Sequence, residues 1–567
     1  VLHVIALERT AALAEQLSDP AAERYRQWAQ QLRREVNTRF WQEAAGMYAS
    51  YLGPPPGNAP SGSYDLLGLA QAIIHGVADS RQARLILEHY PMTEAGPPVI
   101  FPELTGVAIY HNRALWPFVT AYALRAARIG NDAEFAAESA RSLIRGAALS
   151  LSNMENFEFL TQQIHFDDGL LSGPVINSPR QLWSVAGYLN MVLESFWGLQ
   201  PGVDRLKVDP GIPADLATEL FAGQHQLSLR HLQYGGATLD ITLVLPESQS
   251  SQGWLMAADV SLNGASVSGK EIRRSSLKAG QVNQIEIHLR AVPAPALAVR
   301  KLPFADPWQL TPAQFKQVYS PRIPAFSSAT VQGSTVVLKW RAIEPGGPVQ
   351  IFRNGRKIAD ASTGTDFRDP VPLAGSTACY SLTGSYAEIG LTSLPSRENC
   401  VSPTGLRSSI AAGEMRLTPE TGESKTGHEQ ISQFPDWGAP EQALQFEYRA
   451  PASGLQRLKL RYANSHGPIN TGITAAVKTI TAQCGGDGRT QSGVVVMPQL
   501  ATPRSWGLST GFFFDAERAQ SCTLRIEDGF NMSYLRHFEL YTGGQGGKSG
   551  ALNRASISAA ELEVFHE

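Results

Sequence analysis

"YHNRALWPFVTAYAL" occupies residues 110–124. Tyr110, His111, Asn112, Arg113 and Trp116 crowd rings and hydrogen-bonding groups into one short loop. The run that follows repeats its apolar residues every three or four positions, the period of an amphipathic helix. A loop of this composition on a helical scaffold is where function is expected. The bland readings are that Trp116 packs in the core and that His111 is a satisfied structural histidine.

The same helical period extends on both sides of this stretch. "VIALERTAALAEQL" and "AAERYRQWAQQLRREVNTRFW" lie upstream, with "YDLLGLAQAIIHGVA" and "SRQARLILEHY" after them. "DAEFAAESARSLIRGAALSL" and "RQLWSVAGYLNMVLESFWGL" lie downstream. Asp132 is placed to cap one helix, and Asp79 or Ser80 another. Long loops rich in Pro, Gly and aromatics interrupt the helices, such as "EAGPPVIFPELTGVAIYHN" and "FDDGLLSGPVINSP". Beyond "GLQPGVDRLKVDPGIP" the period becomes two, and "HQLSLRHLQYGGATLDITLVLP" and "QVNQIEIHLRAV" read as strands. The expected architecture is a helical region over 1–200 followed by three β-sandwich domains. These are 201–300 packed on the helices, 322–405, and a jelly-roll over 412–567.

Composition narrows the function classes. A chain of 567 residues holds about three or four domains. Its net charge of -3, with only 17% charged residues, gives it no electrostatic reason to seek nucleic acid or an anionic membrane. No apolar run approaches the ~20 residues that span a bilayer. The chain begins at Val1 without a signal-peptide pattern, so a processed or partial chain is expected. Its four cysteines fall in two separated pairs in strand-patterned regions, with no C-x-x-C. Disulfides Cys379–Cys400 and Cys484–Cys522 are expected, and with them a secreted or periplasmic location. The alternative is four buried thiols.

Four motifs taken together resemble the six-hairpin (α/α) glycosidases of the glycogen-debranching and processing α-glucosidase group, including family 63 and mannosylglycerate hydrolase-like enzymes. They are "RFWQEAAGMYASYL" (39–52), "YHNRALWPFVTAYAL" (110–124), "ENFEFL" (155–160) and "NSPRQLWSVAGYL" (177–189), in the order and spacing of that group. The resemblance covers about 160 residues and implies that 1–200 forms an α/α toroid (a six-hairpin barrel), incomplete at its N-terminal end. It implies an inverting glycoside hydrolase acting on an α-linked glucan or oligosaccharide. Inversion needs one carboxyl to protonate the leaving oxygen and another to deprotonate water, ~6.5–9.5 Å apart. The base maps to Glu155, with Glu158 as the alternative if the register slips by one step of the motif. Tyr110, His111, Asn112, Arg113, Trp116, Gln181 and Trp183 are read as sugar-binding groups, because rings cover the C–H face of a pyranose while polar side chains orient it. Asp65 either touches sugar or caps a helix, and Glu103 is a further loop candidate. The resemblance places the general acid upstream of Val1, so an N-terminal segment or second chain would complete the barrel. Asp65 and Glu103 are the substitutes within this chain.

The tail resembles a fibronectin type III module over 322–405, with Trp340 as its core tryptophan, and a jelly-roll carbohydrate-binding module over 412–567. Trp437, Tyr462, Asn464, Trp506, Asn531 and Tyr534 are its candidate sugar contacts. Core aromatics and turn asparagines are the competing reading. A jelly-roll of this kind accommodates a structural calcium. Asp436, Glu527 and Asp528 are the oxygens at hand, though their spacing fits no metal-ligand pattern, and no other cofactor is expected. Two alternatives stand beside the hydrolase: a non-catalytic carbohydrate-binding or adhesion protein on a degenerate barrel, and a phosphorylase whose phosphate pocket would draw on Arg113 and Arg180.

Overall fold

The computed structural model describes residues 1–565 except 166, 168–176, 203, 248–251, 296–298, 304–308, 334, 344–346, 363, 371–376, 403–405, 419–424, 427–431, 440, 467–474, 486–489, 501, 503 and 532–552. Most of the expected loop 166–179, and Tyr534, lie outside the described residues. The chain divides into two compact units. The first comprises Val1–Gly53, Pro60–Ile323 and Thr383–Pro395, and the second Pro54–Ala59, Pro324–Leu382 and Ser396–Glu567.

In the first unit, seven helices run through the first 200 residues among those described: α1 (Leu2–Gln16), α2 (Ala22–Arg39), α3 (Leu66–Ile74), α4 (Ser80–His89), α5 (Pro117–Gly130), α6 (Ala133–Ser150) and α7 (Leu182–Asn190). Three begin at aspartates that accept backbone N–H groups: Asp65 for α3, Asp79 for α4 and Asp132 for α6. Asp79 and Gln82 form a reciprocal capping box, which satisfies two donors that a helix start leaves without intrahelical partners. α1 packs with α2. α5 packs with α3 and α7 as well as with its sequence neighbour α6. The close approach of α5 and α7 depends on Gly187, where a Cβ would meet Phe118 Cα at 3.0 Å. After Asn190 the helix widens into a π-helix, Met191–Phe196.

Asp132 is buried, and burial pushes its carboxyl up to about 6. The folded chain therefore holds this proton more tightly than the unfolded chain does. Stability should fall as pH rises from about 4 to 6, then level off. The contribution is about 1–3 kcal/mol. In Asp132→Asn that part of the slope should vanish, whatever the constant offset. Urea midpoints of both proteins at pH 4, 5, 6 and 7 measure it.

Residues beyond 200 turn to strands. A sheet in the order Gly211–Pro213, Trp254–Leu262, Val282–Val292, Ala237–Val244, Gln226–Tyr234 is antiparallel except where Ala237–Val244 runs parallel to Val282–Val292. Alternate residues of Val282–Val292 are buried, the signature of a sheet with one wet face. A smaller sheet of Leu199–Pro201, Arg205–Val208 and Glu271–Arg273 shares its core. That core is continuous with the helices: Leu239, Ile241 and Trp254 belong to the same buried cluster as Leu69 and Leu124. The 201–300 region, expected as a β-sandwich packed on the helices, is an unequal pair of sheets whose apolar face joins the helical core.

The second unit holds two sandwiches. In one, Phe326–Gln332, Thr335–Trp340 and Asp366–Asp369 form one sheet. The other sheet runs Arg356–Ala361, Val349–Arg353, Ala378–Tyr386, Asn399–Val401. Trp340 is buried between them. The segment Thr383–Pro395, expected in this sandwich, is packed in the first unit. The last sandwich faces a five-stranded sheet (Arg416–Thr418, Ala443–Arg449, Ser521–Asp528, Ala475–Cys484, Thr490–Pro498) against a seven-stranded one built around Gly454–Ala463 and Ala555–Phe565. Both disulfides are formed, Cys379–Cys400 and Cys484–Cys522, each joining directly opposed residues of neighbouring strands. No described helix is long and apolar enough to cross a membrane.

Candidate active site

A two-residue ladder creates the site. Ala114 and Leu115 pair with Glu158 and Phe157, so the 110–116 loop and the 153–163 segment run side by side. Phe159 N–H donates to the Arg113 carbonyl at 3.3 Å, and Val99 N–H to the Ala114 carbonyl at 2.8 Å. Thr93 Oγ1 donates to the Phe159 carbonyl at 2.6 Å. Three loops far apart in sequence are thus fixed by backbone hydrogen bonds above α5. Upstream, "AAGMY" makes its turn at Gly46, whose φ of +66° and contact with the His89 ring leave no room for a side chain.

Glu155 lies between two donors. The Tyr110 hydroxyl donates to Oε1 at 2.8 Å, and the Ser178 backbone N–H to Oε2 at 3.0 Å. The Tyr110 phenol is pushed up, chiefly by this hydrogen bond. Glu155 N–H in turn donates to the Ser178 carbonyl, and Asn177 Nδ2 to the Asn156 carbonyl, so residues 177–178 brace the acidic segment. Around the pair stand rings. His111 stacks on Trp116 at 4.9 Å with planes 9° apart, and Tyr110 meets both edge-on. Trp183 tilts against Trp116 at 6.2 Å and Phe118 at 5.6 Å. Trp116 is buried and donates its indole N–H to the Tyr110 carbonyl at 2.9 Å. Trp183 is 44% exposed and His111 is exposed, so these two present ring surface to solvent. Gln181 is half-buried at the start of α7, and its N–H donates to the Asn153 carbonyl.

The neighbouring carboxylate behaves differently. Glu158 is fully buried. Its Oε1 pairs with Arg113 Nε at 3.0 Å, and its Oε2 accepts from Thr161 N–H at 2.8 Å and Thr161 Oγ1 at 2.7 Å. A carboxylate bound in this way holds the loops together, and Glu155 is left as the one of the two that meets the aromatic cluster. Arg113 takes the left-handed conformation, φ +60°, a strain of order 1 kcal/mol or more for a non-glycine residue. Burial works against its charge, but Glu103 and Glu158 outweigh it and raise the guanidinium pKa. Asn112 and Arg113, expected as sugar contacts, are thus both engaged by protein partners. Asn112 is buried, bonding the Leu104 N–H and carbonyl and the Val107 carbonyl. Glu103 contributes charge to Arg113 while its backbone joins Val318 and Ser320. Asp65 is the α3 cap, accepting from Leu67 and Gly68 N–H at 3.2 and 3.1 Å, and burial raises its carboxyl. Sequence reasoning missed the Ser178 N–H and Phe118. Backbone donors carry no side-chain signal, and an aromatic in a helical run reads as core.

In the last sandwich, four of five expected sugar contacts are core. Trp437 is buried, and the Lys478 ammonium lies 4.8 Å from its ring centre. Tyr462 is buried and donates to the Pro498 carbonyl at 2.8 Å. Asn464 is buried, with Met497 and His466 backbone partners, and Asn531 donates to the Ala475 carbonyl. A buried ring does not offer its face to a sugar in this conformation. Trp506 is half-buried. The carboxylates considered for calcium lie at strand ends and pair with protein cations. Asp528 pairs with Lys478 at 3.0 Å, Asp436 with His466 at 2.8 Å and Arg554 at 3.4 Å, and Glu527 with Arg525 at 2.8 Å.

No family model matches this chain, and no curated protein matches it. Solved structures match in part. A family 35 carbohydrate-binding module from Cellvibrio japonicus is 14% identical, covering 28% of this chain and 94% of its own, with a TM-score of 0.19. One from Clostridium thermocellum is 13% identical over 28% of this chain and 98% of its own, also at 0.19. An isomalto-dextranase from Arthrobacter globiformis, solved with panose, is 12% identical at a TM-score of 0.18, and the match spans 42% of this chain and 34% of that one.

Proposed function

We propose that the first unit is the catalytic part of an inverting glycoside hydrolase of the six-hairpin type, acting on an α-linked glucan or oligosaccharide, with Glu155 as general base. The observation that carries this reading is the arrangement at Glu155: one carboxylate held by Tyr110 and the Ser178 N–H beside His111, Trp116 and Trp183. It combines a fixed proton acceptor with ring surface for a pyranose. The alternation of helices, with α5 packed on both α3 and α7, supports a toroid. The three-plus-four strand order around Trp340 supports a fibronectin type III reading of the sandwich that follows. The two disulfides support an oxidising compartment, secreted or periplasmic. A phosphorylase on the same fold is disfavoured because Arg113 is already bound to Glu158.

The test is sugar release from a panel of α- and β-linked oligosaccharides by wild type and Glu155→Gln. The competing reading is a carbohydrate-binding protein on the same scaffold. It is favoured by one observation: of the two in-chain substitutes for the acid, Asp65 caps α3 and Glu103 lends its charge to the buried Arg113. Trp183→Ala addresses the ring surface. It should raise KM, or Kd for a binding protein, about three- to tenfold. The change in melting temperature should be small, since nearly half of the side chain is already in water.

A further inference from the structure

We propose that the first unit carries a second, separate binding site for an oxyanion group, a carboxylate or sulfate ester borne on an acidic glycan, at three arginines of its small sheet. Strand Glu271–Arg273 pairs antiparallel with Arg205–Val208, and the register sets Arg273 directly opposite Arg205. Like charges directly opposed across strands are destabilising. The whole chain has a net charge of -3, so this concentration does not follow from general basicity. Arg205 is neutralised by Asp204 at 3.1 Å and Glu271 at 2.8 Å. Arg273 and Arg274 have no carboxylate within ion-pair distance among the described residues. Arg274 is nevertheless fixed. Its Nε donates to the Gly235 carbonyl at 3.1 Å, and its backbone N–H to the Asp204 carbonyl at 2.7 Å. Its Nη groups have no acceptor among the described residues.

These three arginines line one open cavity of about 680 Å³, with Asp204 as the sole lining carboxylate, and Ala237, Leu277 and Ala279 supply apolar surface. Guanidinium groups suit this ligand because their planar forks bond carboxylate and sulfate oxygens in pairs. An anion seated there supplies a counter-charge to Arg273 and acceptors to Arg274. The apolar lining gives the carrier molecule somewhere to rest.

Calorimetric titration of the full chain tests this, using trigalacturonate, maltotriose and inorganic phosphate at 50 mM NaCl. Trigalacturonate should bind wild type, and Arg273→Gln/Arg274→Gln should weaken it at least tenfold. Arg273→Gln alone loses no protein hydrogen bond among the described residues, so it should fold normally and still show most of the loss. Maltotriose should not distinguish wild type from variant. If phosphate binds as tightly as trigalacturonate and is lost in the same variants, the oxyanion site stands and its ligand is a free inorganic anion. If wild type binds neither anion, or the variants bind them equally well, the proposal is wrong. The result does not depend on whether Glu155 is a base.

Discussion

Glu155→Gln should lower kcat by about a hundredfold or more, with KM and melting temperature close to wild type. The substitution preserves the packing because the amide can satisfy both neighbours. Its oxygen can accept from Ser178 N–H, while its NH₂ donates to Tyr110 once the phenol turns. What is lost is the ability to take a proton from water. That separates a catalytic role from a structural one, since a structural glutamate with the same partners would show no selective loss of turnover. Equal release of sugar by both proteins would refute the assignment. A wild type that releases nothing from any substrate, but binds oligosaccharide, would place the carbohydrate-binding reading first.

Glu158→Ala should destabilise the first unit by about 3–5 kcal/mol, because it leaves the Arg113 guanidinium buried without its closest counter-charge. Glu103, whose charge also acts on Arg113, should keep the loss toward the lower end. Replacing both partners, as Arg113→Met/Glu158→Leu, should recover much of that stability, since a buried pair is often matched by apolar residues of similar volume. A double-mutant cycle on urea midpoints measures the coupling. Near-additive single effects would show that the pair does not hold the loops. The substitution should also reduce activity, since the Ala114–Glu158 ladder keeps the Tyr110 loop beside Glu155. Catalysis and stability should fall together here, in contrast to Glu155→Gln.

Helices, caps, the change to strands near residue 200 and both disulfides were legible because they rest on local rules. Apolar spacing sets the period, Asp65, Asp79 and Asp132 satisfy helix starts, and paired cysteines in strand-rich segments suit cross-strand bonds. The acidic segment was legible too, but the distinct environments of its two glutamates were not. Glu155 and Glu158 are three residues apart and chemically identical. One meets Tyr110 and Ser178, the other Arg113 and Thr161, because the segment is extended and paired rather than helical.

The same reason explains the burial of the C-terminal candidates. Trp437, Tyr462, Asn464 and Asn531 lie in or beside strands, where side-chain direction alternates residue by residue. Their chemistry suits a sugar site or a core equally, and strand pairing with sheet stacking decides between them. By itself, the sequence indicated the main helical and strand segments and three helix starts, and it singled out an acidic segment and an aromatic loop. Only tertiary structure decided which carboxylate is held by a buried arginine, which rings face water, and that Arg273 stands opposite Arg205. Periodicity and capping are properties of neighbours along the chain, whereas burial and charge pairing depend on residues that meet only after folding.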